Sequence, residues 1–103
     1  MRAKAADANQ RIIMKNCRQI PGVSIVSIHT LGKGIPDALM GYKGKNFLLE
    51  IKDGELTKSR KKLTPDEQKF HKNWKGQVCI IESFDDVLDI ILKENSLMNT
   101  NKN

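Results

Sequence analysis

Helices and strands alternate along this sequence in the order αβββαβα, which predicts a single α/β domain. Three observations carry that prediction. The chain has 103 residues, the length of one domain, and can bury a self-sufficient core without disulfides or structural metal. Two segments are helical by independent signals. Thr64-Pro65-Asp66-Glu67 is a capping box with proline in the first turn, and Phe84, Val87, Leu88 and Ile91 form an apolar stripe at i, i+3, i+4 and i+7. Between and around them lie short apolar runs at 23–28, 37–42, 45–52 and 77–81, each bounded by turn residues.

In order, residues 1–6 read as a loose basic tail. Asp7 can cap a first helix, with Gln10 closing a capping-box-like pair. Ile13, Cys17 and Ile20 recur at helical spacing, and Pro21-Gly22 ends the element. Residues 23–28 are β-branched and strand-like. The segment 29–36 holds Gly32-Lys33-Gly34 and is a loop. Asp37 to Tyr42 and Lys45 to Lys52 form two strands joined by Lys43-Gly44, a tight hairpin whose turn type stays open. After a cationic loop at 53–63, the helix opened by Thr64 carries Phe70 and Trp74 one turn apart and stops near Gly76. A strand at 77–81 and a helix with Ser83 at its cap follow, with Asp85 and Asp86 suiting the helix dipole. The domain is expected to span 1–94, leaving 95–103 as a polar, frayed tail.

Composition narrows the function classes. Eighteen Lys+Arg against 12 Asp+Glu give a net charge of +6, which favours an anionic partner. Ten of the cations fall between Lys43 and Lys75, a one-sided basic region that fits a phosphate backbone; the alternative is a solvated surface. Cys17 and Cys79 are too few and too far apart for a disulfide framework and read as small buried hydrophobes. No apolar run approaches the roughly 20 residues of a membrane span, and no signal-type core follows Met1-Arg2-Ala3-Lys4. A soluble intracellular protein is expected.

The hairpin carries the chemistry. If Lys43 and Gly44 are the two loop residues, Tyr42 faces Lys45, Met40 faces Phe47 and Asp37 falls opposite Glu50. Opposed residues project from one sheet face with Cβ atoms about 4.5–5.5 Å apart, and Lys52, two along from Glu50, shares that face. Two opposed carboxylates repel, and a divalent cation between them removes the penalty. Oxygen donors of this kind suit Mg²⁺, which keeps waters and takes one or two protein carboxylates alongside phosphate. Phe47, Leu49 and Ile51 alternate onto the opposite face and belong to the core. The alternative is an exposed face on which Lys52 pairs with Glu50 or Asp37, and a three-residue loop would shift the register by one.

Pro36-Asp37 followed by Glu50-Ile51-Lys52 after a hairpin, within this element order, resembles the PD-(D/E)XK nuclease superfamily. The fuller strings are Gly34-Ile-Pro-Asp-Ala-Leu-Met-Gly41, Asn46-Phe-Leu-Leu-Glu-Ile-Lys52 and Leu63-Thr-Pro-Asp-Glu-Gln68, with His71 and Trp74. Together they resemble its VRR-NUC branch over residues 8–92. The resemblance implies a restriction-endonuclease-like αβββαβ core with a mixed sheet flanked by helices. It implies a metal (Mg²⁺ or Mn²⁺) held by Asp37, Glu50 and the Ile51 carbonyl, with Lys52 orienting or activating the attacking water. Gln68 matches a polar position near the active site, with an exposed helix residue as its plain alternative. Many members also place a Glu on the first helix, where this chain offers Asn9 or Gln10. The implied activity is endonucleolytic cleavage of DNA, selective for branched or Holliday-junction substrates, by a homodimer in the cytoplasm of a bacterial or phage-infected cell.

DNA contacts are expected from Lys33, Lys58, Arg60, Lys61, Lys62 and His71, a surface histidine being the alternative for His71. The loop Lys58-Ser-Arg-Lys-Lys62 should be mobile without DNA, since it lacks apolar anchors. Gly32-Lys33-Gly34 is too short for a P-loop, yet can offer backbone N–H groups and one Lys to a phosphate. Zinc-ligand spacing and a covalent nucleophile motif are both missing, and no small-molecule cofactor or membrane is expected. The alternatives are a non-catalytic nucleic-acid-binding protein that retains the nuclease fold, and a small interaction module binding neither metal nor DNA.

Overall fold

The computed structural model describes residues 5–52 and 63–101. Three helices, α1 (Ala5–Cys17), α2 (Pro65–Asn73) and α3 (Phe84–Asn101), surround four strands: β1 (Val23–Ser27), β2 (Ala38–Tyr42), β3 (Lys45–Ile51) and β4 (Gln77–Ile81). The sheet order is β1-β2-β3-β4. The first three strands form an antiparallel meander, and β4 joins β3 in parallel after the crossover through α2. This is the predicted α/β domain, with a mixed sheet flanked by helices. No helix among the described residues is long and apolar enough to cross a membrane.

The hairpin has the predicted two-residue loop. Tyr42 pairs with Lys45, Met40 with Phe47 and Ala38 with Leu49. Lys43 and Gly44 both have positive φ, 49° and 83°, the backbone signature of a type I′ turn, whose twist matches that of the strands it joins. A non-glycine residue therefore occupies the left-handed region at Lys43, which is why the dipeptide alone left the turn type open.

Alternation divides the sheet faces. On one face Met40, Phe47, Leu49, Ile51, Ile25 and Ile81 meet Ile13, Met14 and Cys17 of α1 and Val87 and Ile91 of α3, all buried. Burial pushes the Cys17 thiol up to about 11 against a smaller opposing pull from Arg18, consistent with a thiol that serves as packing. The other face carries Asp37, Glu50 and Lys52, and α2 lies over that end.

Two terminal readings change. Residue 5 is already helical, so Asp7 stands inside α1 rather than at its cap. At the other end α3 continues to Asn101 instead of fraying after Glu94. Two contacts secure this extension: Tyr42 Oη donates to Asn95 Oδ1 at 2.8 Å, and Lys45 Nζ lies 2.8 Å from the buried Glu94 carboxylate. A polar composition looked like a tail because its anchors sit on the distant hairpin.

Candidate active site

The register that pairs Ala38 with Leu49 would put Asp37 opposite Glu50 one step along. The regular ladder ends at that step: Asp37 N–H donates at 3.0 Å to Leu49 O, the partner of Ala38, rather than to Glu50. The Asp37 carboxylate turns onto the neighbouring strand, where Oδ2 accepts from Ile51 N–H at 2.8 Å. Pro36, fully buried, precedes it and restricts the approach of the loop. Glu50 is only 2% exposed. Burial first, then a hydrogen bond with Asp37 and the charges of Asp37 and Glu67, push its carboxyl up to about 9 despite the opposing influence of Lys52. At neutral pH and without a cation, this pair holds a proton.

Helix α2 closes the site through residues that share one of its faces, Glu67 and His71. Lys52 Nζ donates to Glu67 Oε1 at 2.9 Å, with both side chains largely covered. The same oxygen accepts from Thr64 N–H at 2.9 Å while Thr64 Oγ1 accepts from Glu67 N–H at 3.3 Å. The predicted capping box is thus present, and its glutamate does a second job. Burial alone would raise the Glu67 carboxyl, but the Lys52 and Thr64 hydrogen bonds and the Lys52 charge outweigh it and hold the group below its ordinary value. His71 Nε2 lies 3.5 Å from Glu50 Oε1. Burial, aided by Lys52 and opposed by Glu67, lowers its pKa, so the imidazole is neutral at pH 7.

The structure brings together Asp37, Glu50, the Ile51 backbone, Lys52 and His71. Gln68 is not with them: it is exposed and donates from Nε2 to Leu63 O at 3.0 Å, at the start of its own helix. Asn9 faces the ends of β3 and β4, its Nδ2 3.4 Å from both Lys52 O and Glu82 O, so its amide ties α1 to the sheet end. Gln10 lies instead along a groove with Arg11, Lys15, Arg18, Ser27 and His29. Lys33 is exposed in the loop before Asp37, whose Gly34 packs on the first turn of α2. Lys58, Arg60, Lys61 and Lys62 lie outside the described residues.

Two features went unread in the sequence. Glu67 was accounted for by its capping role, and nothing local signals that Lys52 reaches it. Arg11, Lys15 and Arg18 do carry a signal, spacing i, i+4 and i+7, that makes a cationic row along α1.

The donor set fits a hard divalent cation. Among the described residues no cluster of three or more His, Cys, Asp or Glu side chains is arranged to hold a metal. Among the described residues the carboxyls that meet here are Asp37 and Glu50, with Glu67 engaged by Lys52 and the Ile51 carbonyl next to Glu50 in sequence. A site with few protein oxygens, leaving positions for water and phosphate, is the pattern that suits Mg²⁺ better than Ca²⁺ or Zn²⁺. Burial, and then the Asp37 carboxyl beside it, raise the Glu50 carboxyl, so a cation entering between the two would displace the proton that they hold.

No protein-family model, no curated protein and no solved structure matches this chain.

Proposed function

We propose that this protein is a metal-dependent endonuclease that hydrolyses DNA phosphodiester bonds, with branched DNA such as a four-way junction as its substrate class. One observation carries the reading: at the open end of the hairpin the Asp37 and Glu50 carboxyls meet, with Lys52 close enough to act on them. Asp37 and Glu50, with the Ile51 carbonyl, would hold Mg²⁺ or Mn²⁺. When bound, the cation supplies Lewis-acid polarisation of the phosphate and a more acidic water.

The chain's own groups do the rest. Ile51 N–H orients the Asp37 carboxylate. Lys52 stabilises negative charge developing on the phosphate, and Glu67 holds the ammonium on a short tether until substrate competes for it. Neutral His71 sits against Glu50 and can accept or pass a proton there. The net charge of +6 favours a polyanionic substrate. Two symmetric cuts need two sites, so the reading includes a homodimer, acting in the cytoplasm of a bacterial or phage-infected cell.

The test is cleavage of a labelled four-way junction with Mg²⁺, with excess chelator, and by Asp37→Asn. Cutting that needs the metal and vanishes in the variant is expected; cutting undiminished by either change overturns the reading. The Lys52–Glu67 pair favours one other reading, a nucleic-acid-binding protein that keeps the fold without catalysis. It predicts junction binding with no metal-dependent product.

A further inference from the structure

We infer that the outer face of α2 is a stacking site for an unpaired nucleobase, so that the substrate carries single-stranded character next to the bond that is cut. This deepens the proposed nuclease reading and rests on it. A cavity of about 550 Å³ is lined by Lys33, Asp66, Lys69, Phe70, Asn73 and Trp74. The Phe70 and Trp74 rings stack with centroids 5.1 Å apart and planes 16° from parallel, an offset geometry favoured between π systems. Trp74 nevertheless remains 47% exposed at the end of α2. Its indole edge lies over Gly76, where a Cβ would come within 2.9 Å of Nε1. The ring is thus held in place by a neighbour on one side and by bare backbone at its edge, while much of its surface faces solvent.

An ordered, exposed aromatic flanked by cations is the arrangement that binds bases by their π faces and the strand by its phosphates. Lys33 and Lys69 supply the charge, and Asn73 and Asp66 supply a donor and acceptors for base edges. Continuity with the proposed site comes from direct contacts. His71, 3.5 Å from Glu50, meets Phe70 edge-on at 6.4 Å between centroids, and Phe70 stacks on Trp74. Gly34, packed so closely on Asp66 that a Cβ would stand 2.3 Å from its carbonyl oxygen, brings Lys33 to the same groove. The two cations and this adjacency favour a nucleic acid over an apolar peptide as occupant.

Trp74 is the only tryptophan, so its fluorescence reports on the groove without a label. The probes are a short oligothymidylate, an abasic strand of equal length and an acidic peptide, each titrated in chelator so that no cleavage occurs. The oligothymidylate should quench Trp74 and bind roughly tenfold more tightly than the abasic strand. Trp74→Leu, confirmed as folded by circular dichroism and titrated with end-labelled strands read by fluorescence anisotropy, should erase the difference in affinity. Equal quenching and affinity with the abasic strand would overturn the inference, as would a Trp74→Leu variant that still prefers bases. Quenching by the peptide alone would overturn it in favour of a protein partner. Junction cleavage by the same preparations separates the two levels: metal-dependent cutting without base-specific quenching refutes the stacking site alone, and absence of metal-dependent cutting refutes the nuclease reading.

Discussion

Glu50 is the residue whose environment makes the sharpest demand. It binds its proton more tightly folded than unfolded, with a folded value of about 9 against an ordinary 4.5. Between those values the native state holds more protons than the unfolded state, so stability falls as pH rises through that window. Below it the contribution is fully present; above it the contribution is lost. Glu50→Gln has no proton to lose. Its melting temperature in chelator should therefore rise relative to wild type as pH goes from about 4.5 to about 9, and thermal melts across that range check this. A constant difference would mean that the carboxyl pair is not strained. Adding Mg²⁺ at pH 8 should narrow the gap by stabilising wild type alone. Lys52 invites a kinetic test at the same scale. If its interaction with phosphate strengthens in the transition state, Lys52→Ala lowers turnover far more than DNA affinity. Equal losses, read from single-turnover rates and binding isotherms, would recast it as a plain phosphate clamp.

At the level of elements, α2 is the part on which the site's geometry depends, and it rests on the loop before β2 through Gly34. That glycine has φ +79° and no room for a side chain, because the Asp66 carbonyl oxygen would stand 2.3 Å from a Cβ. Gly32, two residues earlier in the same loop, also has positive φ, 68°, with ψ −162°, but open space around it. Gly32→Ala should thus cost about 1–3 kcal/mol, the penalty of a backbone region that essentially only glycine adopts. Gly34→Ala adds a clash with backbone and should cost more, on the order of 3 kcal/mol or above. Urea denaturation of the two variants measures the difference. Only Gly34→Ala should also impair cleavage, since displacing α2 moves Glu67 and His71 away from Lys52 and Glu50.

Across the whole molecule, cations recur in the α1 row of Arg11, Lys15 and Arg18 and in the groove with Lys33 and Lys69, and in sequence in the stretch Lys58-Ser-Arg-Lys-Lys62. The last of these lies outside the described residues, but chain connectivity tethers it between Lys52 and Leu63. Each phosphate contact contributes roughly −0.9 to the log–log salt slope on duplex DNA. Replacing Arg60, Lys61 and Lys62 together by Ala should flatten the slope by about two to three units, weaken all DNA shapes alike and leave turnover at saturating DNA nearly unchanged. Junction binding measured from low to moderate salt decides it; an unchanged slope would show that the stretch does not touch DNA.

What could be read from the sequence was whatever local spacing determines. The element order, the capping box at Thr64, the two-residue hairpin and the nearness of Asp37 to Glu50 follow from periods and turn chemistry that act over a few residues, or from a register that a tight turn transmits as far as Ala38 and Leu49. Tertiary contacts decided the rest. Asn95 looked like tail until Tyr42 Oη was seen to reach it, 53 positions away. Glu67 looked fully used by its cap until Lys52 arrived from β3, and Gln68, one residue on and therefore about 100° around the helix, faces solvent where its sequence position suggested the site. Which face of α2 meets the sheet is set by how Gly34 and the β3–β4 crossover seat the helix, a long-range packing choice on which neither capping nor composition bears.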